Sequence, residues 1–146
     1  MGIPMRRIGL LAVISALVFG SIQPLAAKPE AGVYACTFER GNAWLFEKGA
    51  YAERQPERVA FSISRVDMGA QTARLGTGEG AAALRTVQAL SARHFIEVAG
   101  EGFLNITTIY DRDDVSGRYP AVHSRHFAVL GQPLVAQYRG FCDRKP

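Results

Sequence analysis

Val33-Tyr34-Ala35-Cys36-Thr37-Phe38-Glu39 and Leu134-Val135-Ala136-Gln137-Tyr138-Arg139-Gly140-Phe141-Cys142 decide the fold. In a strand, successive side chains point to opposite faces. The first stretch therefore puts Tyr34, Cys36 and Phe38 on one face. The second, which follows Pro133, puts Leu134, Ala136, Tyr138 and Cys142 on one face. Each stretch carries one of the chain's two cysteines, and each cysteine has the inward parity of its strand. A disulfide requires Cα atoms only ~4.4–6.8 Å apart. The first and last strands should then be neighbours, or face each other across the core. Neighbouring ends close a barrel and remove its exposed edges.

The sequence between them reads as further short strands. Val59, Phe61 and Ile63 alternate with Ala60, Ser62 and Ser64. His94, Ile96 and Val98 form another inward set, followed by Gly100-Glu101-Gly102 as a hairpin connection. Phe103 to Tyr110 is rich in β-branched and aromatic residues, and Val122 to Leu130 is the next strand. Thr72 to Leu75 precedes a turn marked by Gly76, Gly78 and Gly80. Residues 81–93 could be helical, since Leu84, Val87 and Leu90 recur every three residues and alanine favours a helix. The glycine-marked turn argues instead for a meander, and a strand is the preferred reading. Gly41 to Arg58 reads as a loop with one helical turn. Seven or eight strands of this kind predict an all-β fold, a small antiparallel up-and-down β-barrel closed by one disulfide. A β-sandwich is the alternative.

The N-terminus reads as a secretory signal peptide over residues 1–27. Arg6 and Arg7 precede the apolar run Ile8 to Gly20, and Leu25-Ala26-Ala27 suits cleavage before Lys28. The run is too short for a comfortable membrane span, and Lys28 stands where a lipoprotein would need cysteine. Residues 28–146 then form a single domain, exported to the periplasm or the medium, with no membrane span after cleavage. Its net charge is +2 rather than the +4 of the whole chain. No concentrated basic face suggests nucleic-acid binding. A Cys36–Cys142 disulfide suits an oxidising compartment. Closing a loop of about 100 residues stabilises the fold by roughly 4–5 kcal/mol on the chain-entropy account.

The chemistry-bearing residues are sparse. His123-Ser124-Arg125-His126 is the densest cluster. Residues three apart on a strand face opposite ways, so the two histidines do not chelate one metal together. The expectation is that His126 points inward with Val122 and Ala128, with His123 and Arg125 outside. An anion-binding patch could add Arg118 and Arg139, while a metal site would need His94. Asp111-Arg112-Asp113-Asp114 resembles the opening of a calcium loop, but Val115 and Ser116 stand where oxygen and glycine are needed. It reads better as a turn. Asn105-Ile106-Thr107 matches a glycosylation acceptor inside a strand. Ser124, His123 and Asp111 lack the context of a nucleophile elbow. Neither a cofactor nor a metal is expected, and the chain reads as non-enzymatic. Trp44 and Tyr51 are candidate aromatics at a barrel mouth.

Tyr34-Ala35-Cys36, opening a small exported barrel with a terminal cysteine partner, is similar to the periplasmic lysozyme inhibitors. The likeness spans those residues only, and that family's inner motif is missing. No inhibitory residue is carried over. Three expectations follow. A barrel that binds a small apolar or anionic ligand needs a cavity lined by aromatics and a positive mouth. An inhibitor or interaction module for an envelope protein, such as a lysozyme-type hydrolase, needs a filled core and a protruding loop at Gly41–Arg58 or Asp111–Tyr119. A hydrolase or metal enzyme needs His94, His123 or His126 to converge with a carboxylate.

Overall fold

A computed structural model describes residues 31–76, 78, 80–99 and 102–146. The signal-peptide segment 1–27 lies outside these residues, as do Gly100 and Glu101 of the expected hairpin connection. Nine strands form the structure: β1 (Val33–Glu47), β2 (Ala50–Arg54), β3 (Val59–Asp67), β4 (Thr72–Leu75), β5 (Ala82–Gln88), β6 (Ala92–Val98), β7 (Leu104–Tyr110), β8 (Tyr119–Val129) and β9 (Gln132–Lys145). All pairings are antiparallel, and all but β1 with β3 and β1 with β9 join sequence neighbours. Strands β1 and β3–β9 thus close an eight-stranded barrel, and β2 is an extra strand at its end. No α-helix occurs among the described residues.

The closure is where the cysteine parity placed it. Cys36 pairs directly with Cys142 across β1 and β9 and is bonded to it, 106 residues apart in sequence. Residues 82–88 are strand, as the glycine-marked turn implied. The reading of Gly41 to Arg58 is corrected. It holds the end of β1, a two-residue turn and β2, with Glu47 opposite Ala50. Lys48 and Gly49, with φ of 51° and 82°, both adopt the left-handed conformation. Two such central residues make the hairpin turn whose twist matches the flanking strands. Leu130 and Gly131, with φ of 50° and 81°, make the same kind of turn between β8 and β9. Pro56 follows β2, where it need not donate to a ladder.

The barrel is packed through its middle. Phe38, Phe95 and Ile63 are essentially without exposure, and Tyr34, Val66, Ile109 and Tyr138 join them. Phe38 packs on Phe61 at 5.4 Å and Tyr34 meets Tyr119 edge-on at 5.5 Å between centroids. An eight-stranded barrel has an interior that side chains can just fill. Among the described residues, an interior cavity bounded by Phe61, Phe95, Glu97, Asn105, His123 and Arg125 measures about 40 Å³. Such a space suits a water molecule and is far below the ~300–1,000 Å³ of small-ligand sites.

Candidate functional site

One irregularity organises the outer surface. Along β1 and β9 the register runs Cys36 to Cys142 and Thr37 to Phe141, then resumes at Arg40 to Arg139. Phe38 and Glu39 thus share the single partner position of Gly140, which is a β-bulge. The extra residue inverts the parity of everything after it. Tyr34, Cys36 and Phe38 point inward, and so do Gly41, Ala43 and Leu45. Arg40, Asn42 and Trp44 therefore stand outside. Gly140 is required for close approach: a Cβ there would lie 2.0 Å from the Thr37 carbonyl oxygen and 2.8 Å from Phe38 Cα.

A groove of about 510 Å³ lies over this bulge, lined by Thr37, Glu39, Arg40, Arg118, Arg139 and Phe141 among others. Arg40 and Arg139 are opposite each other on neighbouring strands. Like charges placed so are destabilising unless something neutralises them. Neither has an ion pair among the described residues; Glu39 is the carboxylate sharing the groove. Arg118 is placed differently. Its Nε and Nη2 donate to the two Asp143 carboxylate oxygens at 2.9 and 3.0 Å. Its guanidinium lies 4.8 Å from the Phe141 ring centroid. That fork raises the Arg118 pKa and lowers that of Asp143, chiefly through the shared hydrogen bonds.

A second depression of about 410 Å³ continues along the same face. Asn42, Trp44, Val122 and Gln137 line it, and it shares Arg139 with the first. Register extends the face across strands, with Trp44 opposite Val135 and Val135 opposite His126. The structure thus gathers Arg118, Arg139, Trp44 and His126 on one outer surface. Tyr51 stands on the same side one strand further, opposite Phe46 and 59% exposed.

The remaining candidates lie elsewhere, and the expected orientation in β8 is reversed. His123 is inside and only 4% exposed, while His126 is exposed. Val122 and Ala128 share the outward parity of His126, while Ala121, His123 and Arg125 point in. Partners on the neighbouring strands β7 and β9 and within the core decide this. His123 Nδ1 lies 2.9 Å from Thr107 Oγ1, and the ring packs on Phe38, Phe61 and Tyr138. Arg125 Nε donates to His123 Nε2 at 3.2 Å. With Nε2 accepting, Nδ1 carries the proton and donates to Thr107. Burial first, then the neighbouring Arg125 charge, lower the His123 pKa to about 4.

The face of β6 is likewise reversed. Phe95 is buried and faces Thr107 of β7, so His94, Ile96 and Val98 point outward. His94 hydrogen-bonds Thr108 at 2.9 Å there. Val98 is 74% exposed. The three histidines thus do not converge. No group of three or more His, Cys, Asp or Glu side chains able to hold a metal occurs among the described residues. Within Asp111–Asp114, Asp113 Oδ2 accepts from the Ser116 amide at 2.7 Å, and Gly117 N donates to the Asp113 carbonyl. This closed turn holds the Asp113 carboxyl below its usual range. Asn105 donates to Glu97 at 2.8 Å inside the barrel.

Arg40, Glu39, Asn42, Gln137 and Phe141 were not among the expected site residues. The bulge turns Arg40 and Asn42 onto the surface where Glu39, Gln137 and Phe141 already stand, and a break in alternation at Glu39-Arg40 is its sole trace in sequence. Comparison with protein-family models, with curated proteins and with solved structures found no match to this chain. No helix among the described residues is long and apolar enough to cross a membrane. The disulfide is compatible with an extracellular or periplasmic location.

Proposed function

We propose that this chain is a non-catalytic binding module, exported to the periplasm or the medium, that takes an anionic ligand on its outer face. The observation that carries the reading is the groove over the bulge, where Arg40 and Arg139 oppose each other without an ion pair among the described residues. An anion between two guanidinium forks relieves their repulsion and accepts charge-assisted hydrogen bonds from both. Arg118, fixed by Asp143, supplies a third positive edge. Among the described residues, the interior cavity beside His123 is about 40 Å³, too small for a ligand of comparable size. That weighs against a small apolar molecule held inside the barrel.

Titration of the isotope-labelled, disulfide-bonded protein with inorganic phosphate at low ionic strength tests this. Amide shifts should concentrate at residues 37–41, 118 and 139–141, and should weaken with salt. Arg139→Ala and Arg40→Ala should each weaken them. Absence of shifts there, or shifts indifferent to both substitutions, refutes the reading.

A second reading is an interaction or inhibitory module for an envelope protein. It is favoured by the exposed apolar pair Val98 and Leu104, opposite each other on β6 and β7. Capture of a lysozyme-type hydrolase, abolished by Val98→Asp, would support it over the first.

A further inference from the structure

The second depression is chemically unlike the first. It is lined by the half-buried Trp44 and by the amides of Asn42 and Gln137, which stand opposite each other on β1 and β9. Asn42 Nδ2 donates to Glu53 at 2.7 Å, which orients the amide and leaves its oxygen free to accept. The exposed Gln137 side chain makes no hydrogen bond among the described residues. A sugar ring presents an apolar C–H face and a rim of hydroxyls. The first suits a flat aromatic surface, and the second suits side-chain amides, which both donate and accept. All three side chains project from strands, which hold a site more precisely than loops do.

We infer that this face binds an anionic carbohydrate. Its charged group lies among Arg40, Arg118 and Arg139, and its neighbouring sugar ring lies on Trp44 beside the adjacent amides of Asn42 and Gln137. Arg139 lines both depressions, so one ligand can span them. The inference rests on the anion-binding reading above and names its ligand class. An acidic peptide fits less well. β9 is paired on both sides here, with Asn42 and Ser124 flanking Gln137. A peptide lying along β9 would therefore find no free edge there for the main-chain hydrogen bonds that peptide strands use.

Trp44 is the only tryptophan of the chain, so tryptophan fluorescence reports this depression alone. The disulfide-bonded protein is titrated with inorganic phosphate, with trigalacturonic acid and with neutral maltotriose, following fluorescence and backbone amides together. Trigalacturonic acid should change Trp44 emission saturably and bind at least about ten-fold tighter than phosphate. It should also shift residues 42, 44 and 137 besides the arginine groove. Gln137→Ala, at an exposed position, and Trp44→Phe should each remove that advantage while phosphate binding stays. Phosphate binding without an advantage for trigalacturonic acid, or equal binding of maltotriose, overturns the carbohydrate inference and leaves the anion reading intact. Binding of neither anion at the arginine groove overturns both.

Discussion

His123 should make folding stability fall between pH 6.5 and pH 4, and the size of the fall follows from its site. The ring is 4% exposed, accepts from Arg125 and contacts Phe38, Phe61 and Tyr138. It stays neutral in the folded protein down to a pKa of about 4. In the unfolded chain it protonates near its ordinary value of ~6.5. Between those values the unfolded state binds a proton that the folded state refuses. Stability is therefore full above pH 6.5, falls with acidification, and levels off below pH 4. Linkage gives a loss of about 2 kcal/mol by pH 5 and about 3 kcal/mol by pH 4. Asp113 and Asp143 have lowered pKa values, so they lose their contributions only below the ordinary carboxylate range. The two effects thus occupy different windows. Urea unfolding at pH 7.5, 6, 5 and 4 measures the slope, and His123→Gln removes the titrating group. The variant should be less stable at pH 7.5 and flatter across the window. A wild-type profile that changes by less than about 0.5 kcal/mol, or a variant with the same slope, refutes the argument.

Two further changes probe the closure. Replacing both cysteines, as Cys36→Ala with Cys142→Ala, opens a loop set by the separation of 106 residues. Chain entropy then predicts a loss of roughly 4–5 kcal/mol, or roughly 20 °C in Tm for a domain of this size. Thermal melts with and without reductant check this, and a loss below about 1 kcal/mol would mean that the β1–β9 ladder closes the barrel unaided. Gly140→Ala drives a Cβ into the backbone of Thr37 and Phe38. Neither atom can move aside as a flexible side chain would, so the loss should exceed about 3 kcal/mol. Denaturant midpoints measure it, and a near-neutral result would show that the bulge is not as described.

The sequence carried closure more clearly than orientation. Cys36 and Cys142 fall on the apolar faces of their own strands, so local alternation already pointed them at each other. The β8 sequence offers no such guide. Its outward set, Val122, Ser124, His126 and Ala128, is no more polar than its inward set, Ala121, His123, Arg125 and Phe127. Thr107 and Tyr138, which receive His123, come from other strands. In β6 the apolar residues Ile96 and Val98 even occupy the outside, because the inward neighbour Glu97 pairs with Asn105 in the polar end of the barrel. A half-polar interior defeats the rule that hydrophobic alternation marks the core. The β1–β2 hairpin is hidden in the sequence for a simpler reason. Its turn is Lys48-Gly49, and lysine in the left-handed conformation is not among the residues that advertise such a turn.

The bulge ties closure and the proposed site together. Were β1 regular, Arg40, Asn42 and Trp44 would share the inward parity of Tyr34, Cys36 and Phe38. Burying Arg40 in a barrel already filled by Phe38, Tyr138 and His123 would leave a charge without partner or water. One extra residue at Phe38–Glu39 turns all three outward. It also brings Arg40 opposite Arg139 and sets Trp44 beyond them on the same face. The same residue pair demands glycine at position 140, where no side chain fits against Thr37. A disturbance of the bulge should therefore weaken the barrel and scatter the arginine and tryptophan positions together. A change at Gln137, which only decorates the surface, should alter binding while stability stays within the ±0.5 kcal/mol usual for surface substitutions. The two classes of variant separate what the fold needs from what the ligand needs, although one β-bulge produced both.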